Sequence, residues 1–229
     1  MREIVLDIET TGLEYKYGDK VIEIACIELS NFLPTGKIFQ TYVNPEKKKS
    51  SPSAKEKHGI LDKFLEDKKI FKQIAPDFLK FIKNSPILAH NGLVFDVPFL
   101  NYELKNSNLN ILKNPIIDTM ILARKKFPGA PVNLDALCRR FDIDLSVRKK
   151  HSALTDTKLL AKIYLELKGG QQPNLILDPK KNNQKKKDKI QNFEKKILED
   201  RKFILSNIEE ENHKKFIKKI KNPLWKQFN

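Results

Sequence analysis

The stretch IVLDIETTG, residues 4–12, is an apolar run that carries two carboxylates and ends in a glycine turn. In a strand, Asp7 and Glu9 project to one face while Leu6 and Ile8 project to the other. Two neighbouring carboxylates repel each other and are costly to desolvate, so this pair indicates a bound cation or a role in proton transfer. The Thr-Thr-Gly turn exposes N–H groups that could hold a phosphate or ribose. A strand with one solvated polar face is the alternative.

Further strands and helices follow this stretch. Residues 2–9, 20–29 and 37–45 have strand patterns joined by short links, which predicts an antiparallel meander. Short apolar strands then alternate with helical patterns, which predicts a mixed sheet covered by helices. We expect these strands near 86–90 and 115–119, and helices at 71–84, from about 94, at 134–141 and at 152–170.

Composition narrows the class of protein. The 229 residues carry a net charge of +15, which indicates a polyanionic partner, most often nucleic acid. A coding bias toward AT-rich codons is the alternative explanation for so many lysines. The two cysteines lack zinc-binding spacing. No apolar stretch approaches the roughly 18–20 residues that span a bilayer, so we expect a soluble cytoplasmic protein without membrane contact.

The character of the sequence changes after the glycine pair 169–170. We predict one domain over residues 1–171, a flexible basic linker over 172–192, and a tail over 193–229. The tail has helical apolar spacing but is too short to fold alone, so it needs a partner surface.

Three residues far from the first stretch could join its carboxylates. Asp156 is followed by Leu160 and Ile163 at i+4 and i+7, so it lies on the core-facing stripe of the last domain helix; helix capping is the alternative. Asp96 follows a strand and a His-Asn-Gly turn, where ligands of open sheets gather; a dipole-favoured helix start is the alternative. His151 precedes this helix on a loop and could accept a proton, or it could simply be exposed.

In order and spacing, these residues form the pattern D-x-E, D, H-x4-D, which resembles the DEDD exonuclease superfamily in its histidine-containing branch. The segments HGILDKFL, FPGAPVNLDALCRRFDI and HSALTDTKLLAKIYLELKGGQ further resemble the proofreading epsilon subunits of bacterial DNA polymerase III. The resemblance covers residues 2–171. It implies an RNase H-like fold with a mixed five-stranded sheet, and an enzyme that removes mispaired nucleotides from 3′ ends of DNA.

The resemblance also implies the roles of these residues. Asp7, Glu9 and Asp156 would hold one of two divalent ions, Mg²⁺ or Mn²⁺. Asp7 would also reach the other ion, which Asp96 would support directly or through water. His151 would be the catalytic general base. Asp7, Glu9 and Asp156 would also meet the substrate, and the terminal nucleotide would contact four further residues, Thr10, Thr11, His58 and Phe95. Ser53 departs from the family, which often has a glutamate there, and this puts one nucleotide contact in doubt.

The tail carries further resemblances. The segment QPNLIL, 172–177, has the shape of a sliding-clamp-binding peptide through Gln172, Leu175 and Leu177, with ordinary helix-exit packing as the alternative. The end of the chain, with Leu224 and Trp225, resembles the segment that binds the polymerase alpha subunit, and a small theta-like accessory subunit is a further implied partner. Two rival functions stay open: a homodimeric RNA-trimming exonuclease and a non-catalytic nucleic-acid-binding module.

Overall fold

The computed structural model describes residues 1–146, 148, 150–170 and 206–220. The chain divides into two units, Met1–Ile176 and Leu177–Asn229. The predicted linker, the clamp-binding motif with Gln172, Leu175 and Leu177, and the polymerase-binding Leu224 and Trp225 all lie outside the described residues.

A mixed five-stranded sheet forms the first unit, as predicted. Its strands lie in the order β3-β2-β1-β4-β5, with β1, β2 and β3 antiparallel, and with β4 and β5 parallel to β1. The bounds are Arg2–Thr10 for β1, Val21–Ser30 for β2, Leu33–Tyr42 for β3, Ile87–Ala89 for β4 and Ile116–Asp118 for β5.

Seven helices of this unit flank the sheet. They are α1 Pro52–His58, α2 Asp62–Leu65, α3 Phe71–Ile82, α4 Asp96–Asn106, α5 Thr119–Lys126, α6 Leu134–Arg140 and α7 Ala153–Leu167. The sequence predicted α3, α4, α6 and α7 but missed the three short helices α1, α2 and α5. Helix α7 ends two residues earlier than the glycine pair, and both glycines have positive φ, as expected of a helix stop.

The alternation of β1 divides the core into two layers. Ile4, Leu6 and Ile8 pack with residues of α3 and α4, among them Phe78 and Phe99. Val5 points to the other face and packs with Leu160 and Tyr164 of α7. Helices therefore cover both faces of the sheet, and the odd-numbered residues of β1 face α7.

Helix α8, Asn207–Lys219, belongs to the second unit. Ser206 and Glu209 form a capping box at its start, and Lys214 pairs with Glu210 one turn away. It buries no residue of its own, and Ile208 and Phe216 are exposed. Among the described residues, none of the helices is both long and apolar enough to span a membrane.

Candidate active site

The geometry of the site follows from how α7 lies along β1. The hydroxyl of Tyr164 donates a hydrogen bond to Glu3 at 2.8 Å, and Leu160 packs near Val5. Four helical residues advance about 6 Å and two strand residues about 6.7 Å, so the two elements stay nearly in step. One more step brings Asp156 to the carboxyl end of β1, where Asp7 and Glu9 lie.

All five residues selected as metal ligands or base meet at this end of the sheet. Asp7, Glu9, Asp96, His151 and Asp156 line one cavity of about 540 Å³. Ligand atoms of Glu9, His151 and Asp156 all lie within 4.8 Å of one another. Segments about 150 residues apart in sequence therefore supply one cluster of oxygen and nitrogen donors.

Asp96 reaches the cavity because the turn after β4 is held in shape by Asp118. The Asp118 carboxylate accepts hydrogen bonds from the backbone N–H groups of Asn91 at 3.1 Å and Leu93 at 3.2 Å. Asn91 has a φ of 63°, and a Cβ on Gly92 would lie 2.3 Å from the Ala89 side chain. The tight turn places Asp96 at the first residue of α4.

The carboxylates of this cluster are difficult to ionise without a cation. Burial, followed by the charges of Asp96, Glu9 and Asp156, raises the pKa of Asp7 well above its ordinary value. Burial, followed by Asp156 and Glu23, raises the pKa of Glu9 to about 8. Burial raises the pKa of Asp96 to about 7, and its Oδ1 is buried without a hydrogen-bond partner among the described residues. An oxygen-rich cluster with an unsatisfied buried oxygen is a suitable site for hard divalent ions.

Asp156 differs because it already has a cationic partner. Arg148 Nε donates to its Oδ1 at 2.6 Å and Nη2 donates to its Oδ2 at 2.7 Å. Burial opposes ionisation of Asp156, but its close contacts with His151 and Arg148 outweigh burial and lower the pKa of Asp156. Arg148 also pairs with Asp135 of α6 and donates to His151 Nδ1 at 2.8 Å.

The loop that carries His151 rests on the end of α1. The backbone N–H of His151 donates to the carbonyl of Lys57 at 3.1 Å. Gly59 follows α1 with a φ of 69°, and a Cβ there would lie 2.4 Å from Cδ of Lys150. The positive φ favours glycine at this position, and a larger residue would displace the Lys150 side chain. His151 precedes α7 by two residues, as the sequence analysis expected, and its side chain is 45 % exposed.

A further buried carboxylate, Glu23 of β2, lies opposite Glu9 in the strand register. It accepts hydrogen bonds from the backbone N–H of Ala153 at 3.1 Å, from Ser152 Oγ at 3.4 Å and from Gln40 Nε2 at 2.8 Å. Burial raises its pKa, although these hydrogen bonds act in the opposite direction. Glu23 therefore fixes the start of α7, the helix that carries Asp156.

Some, but not all, of the residues expected to contact a nucleotide line the cavity. Thr10, His58, Phe95 and Ser53 line it. Burial lowers the pKa of His58, and its Nε2 is buried without a described hydrogen-bond partner. Thr11 is fully buried and is not in the lining. Its hydroxyl donates to Asp19 and accepts from the Lys20 N–H, so the Thr11 side chain supports the turn instead.

Comparison with known proteins identifies the family. The family model described as "Exonuclease" matches residues 4–164. The DNA polymerase III subunit epsilon of Rickettsia typhi is 44 % identical over 230 residues, covering 96 % of this chain and 97 % of that protein. This chain belongs to the DNA polymerase III epsilon subunits. The epsilon subunit of Haemophilus influenzae is 44 % identical over 177 residues, covering 74 % of this chain and 68 % of the relative.

Solved structures support the same fold for this epsilon subunit. A structure of exonuclease X in complex with 5′ overhanging duplex DNA matches 72 % of this chain and 90 % of that chain, with a TM-score of 0.57 and 23 % identity. E. coli exonuclease I in complex with a dA16 oligonucleotide matches 74 % of this chain and 41 % of that chain, with a TM-score of 0.64 and 16 % identity. At these identities the likeness confirms the RNase H-like architecture.

Sequence analysis missed two residues of this epsilon subunit that touch the cluster. Glu23 has a usable signal, because it is a carboxylate inside the apolar strand VIEIACIEL. The sequence gives little indication of the role of Arg148, because it is one of three consecutive cationic residues, RKK, before His151. Its role depends on where a long side chain points, and local spacing does not encode that direction.

Proposed function

We propose that this epsilon subunit removes 3′-terminal nucleotides from DNA, mispaired ones included, by two-metal phosphodiester hydrolysis for DNA polymerase III. The observation that supports it most is the convergence of four carboxylates and one histidine in a single cavity of an exonuclease-family chain. The non-catalytic rival is disfavoured because the whole donor set is present.

Divalent metal dependence is implied by the exonuclease family, and the donor set fits it. Asp7, Glu9 and Asp156 would hold one ion, and Asp7 with Asp96 would hold the second. Oxygen donors favour Mg²⁺ or Mn²⁺ over softer metals. When bound, such ions stabilise negative charge on the entering and leaving oxygens of the displacement. Burial, followed by repulsion between carboxylates, raises the pKa values of Asp7, Glu9 and Asp96, and bound cations would offset both effects.

His151 is the residue placed to move a proton. Its Nδ1 faces Asp156 at 3.4 Å, so we assign Nε2 as the atom that accepts the proton of the attacking water. The water oxygen then bonds to phosphorus and the bond from phosphorus to the 3′ oxygen of the preceding nucleotide breaks. The leaving 3′ oxygen takes up a proton from solvent, and His151 returns its proton to solvent. The products are a nucleoside 5′-monophosphate and a strand with a new 3′-hydroxyl.

The terminal nucleotide would lie against Thr10, His58 and Phe95 in the same cavity. Phe95 is supported by Phe99, with ring centroids 5.0 Å apart, and offers an aromatic face to a base. His58 Nδ1 accepts a hydrogen bond from the Ile60 N–H, so its Nε2–H is available to donate a hydrogen bond to a ligand. Lys57 also lines the cavity, and a net charge of +15 favours a polyanionic strand.

The tail would connect the nuclease to the replisome in the cytoplasm. We propose that Gln172, Leu175 and Leu177 dock on the sliding clamp, that Leu224 and Trp225 bind the polymerase alpha subunit, and that a theta-like subunit is a further partner. The Rickettsia relative supports a tail of this kind, because the similarity covers 96 % of the chain and so includes part of the region after residue 171.

One experiment separates the candidate functions. The full chain is incubated with a labelled primer that has a mispaired 3′ end, with Mg²⁺ or with EDTA, beside an RNA of equal length. Release of 5′-mononucleotides from the DNA with Mg²⁺ only, and lost in Asp156→Asn, is the expected result. Preferential degradation of the RNA would favour the trimming enzyme, and no degradation of either would favour the binding module.

A further inference from the structure

The side chain of Arg148 lies between the base and one of the proposed metal ligands. Its side chain is 8 % exposed, and its guanidinium pairs with Asp135 of α6. From there it donates one hydrogen bond to each oxygen of Asp156. Arg148 is thus a cation built into the site, in the fork geometry that suits a carboxylate.

The same guanidinium fixes the protonation of His151. Its Nη2 lies 2.8 Å from His151 Nδ1. A guanidinium has donors only, so Nδ1 has to be the acceptor, and the neutral ring then carries its proton on Nε2. A ring in this tautomer cannot take a proton from water at Nε2.

Both observations have one explanation. We infer that Arg148 is a built-in counter-ion of Asp156 that competes with the divalent ion for this carboxylate, and that it has to leave Asp156 before the ion binds there. The inference rests on the metal site proposed above. Arg148 and the metal then compete for one carboxylate, and the departure of Arg148 also releases His151 to act as a base.

Competition is the favoured account because of where Nη2 of Arg148 lies. It is 2.7 Å from Asp156 Oδ2 and 2.8 Å from His151 Nδ1. Glu9, His151 and Asp156 are also the residues whose donor atoms lie close enough together to share one ion. A guanidinium nitrogen and a divalent ion among the same donors would repel each other at short distance, so the fork of hydrogen bonds and the ion exclude each other.

The test measures Mn²⁺ affinity of the full chain by titration calorimetry, without substrate. Arg148→Gln should bind Mn²⁺ about tenfold more tightly than wild type, because the competitor is gone. Arg148→Lys should bind at least about threefold more tightly, because lysine keeps the charge but cannot make the fork of hydrogen bonds. Arg139→Gln is the matched control: it loses the same charge on an exposed residue of α6 and should match wild type.

A second readout is stability without nuclease activity. In EDTA, Arg148→Gln should melt at a lower temperature than wild type, because Asp156 loses its partner. Added Mn²⁺ should raise the melting temperature of the variant more than that of wild type, because stabilisation by a ligand grows with affinity. Should the glutamine variant fail to fold, the lysine variant carries the same comparison.

Three results would overturn the inference. Weaker Mn²⁺ binding by Arg148→Gln would show that Arg148 supports metal binding. Unchanged Mn²⁺ binding would show that Arg148 has no effect on the metal site. Tighter binding by the glutamine variant with wild-type binding by the lysine variant would reduce the effect to net charge. Failure of every protein to bind Mn²⁺, wild type included, would instead refute the proposed metal site.

Discussion

The stability of the metal-free protein should fall as the pH rises from about 5 to about 8. Burial raises the pKa of Glu9 from 4.5 to about 8, so the folded protein holds a proton that the unfolded chain releases. A raised carboxyl pKa stabilises the fold below the unfolded pKa, and this contribution is lost as the pH rises through the folded pKa. The window for Glu9 therefore runs from 4.5 to about 8.

The expected size of this loss can be calculated for Glu9 alone. A pKa difference of one corresponds to about 1.4 kcal/mol, and pH 7 lies about 2.5 above the ordinary pKa of Glu9. The unfolding free energy should thus fall by about 3 kcal/mol between pH 4.5 and 7 through this residue. Asp96, with a pKa of about 7, acts in the same direction. Asp156 has a lowered pKa, so its contribution changes only below about pH 4, outside the assay.

The assay is urea unfolding of the full chain in EDTA at several fixed pH values, followed by circular dichroism. Glu9→Gln is the control: its side chain is neutral throughout, so the decline should be smaller by about 3 kcal/mol. Excess Mn²⁺ should remove most of the decline in wild type, because the ions favour the ionised cluster. An unfolding free energy that stays constant or rises with pH in EDTA would refute the electrostatic argument.

Three further predictions follow from individual positions. Asp7→Asn should abolish exonuclease activity yet raise the melting temperature in EDTA, since it replaces a buried carboxyl group whose ionised form is disfavoured there; a lower melting temperature would show that Asp7 has a structural role. Gly59→Ala should lower activity more than Gly36→Ala, because both have positive φ but only Gly59 lies under a lysine side chain of the base-carrying loop; equal activities would disprove that coupling. Replacing Leu175 and Leu177 by Ala should weaken clamp binding in a pull-down and leave digestion of single strands unchanged. Unchanged clamp binding would show that these two leucines do not form a clamp-binding motif.

Local patterns were sufficient to predict a mixed sheet and to select the carboxylates as candidates, while the five strands and the metal-binding roles were implied by the family resemblance. Asp7 and Glu9 share a face because strands alternate, and Asp156 lies on an apolar stripe because helices repeat every 3.6 residues. Asp96 follows from a turn between a strand and a helix. Each of these inferences needs only neighbours in sequence, so it did not depend on the tertiary arrangement.

Residues that act across the fold were harder to predict. Glu23 meets Ala153 only because β2 lies beside β1 and α7 crosses both, a contact over 130 positions. Thr11 has a hydroxyl that could contact a substrate. However, the register of β1 shifts after Glu9, and in the turn that follows the Thr11 hydroxyl donates a hydrogen bond to Asp19. Side-chain direction in irregular segments decides such roles, and sequence spacing does not determine it.

The arrangement of β1 and α7 explains how the fold tolerates repelling charges. Along the shared interface the contacts run from the Tyr164 hydrogen bond to Glu3, through the apolar contact of Val5 and Leu160, to the carboxylates at the open end. The packed part of the interface stabilises the two elements, while the repulsion is confined to the end that faces the cavity. Strand β1 and helix α7 carry both the packed contacts and the repelling carboxylates, so bound cations should stabilise the whole interface between them. Removal of the cations should loosen the start of α7 before its end.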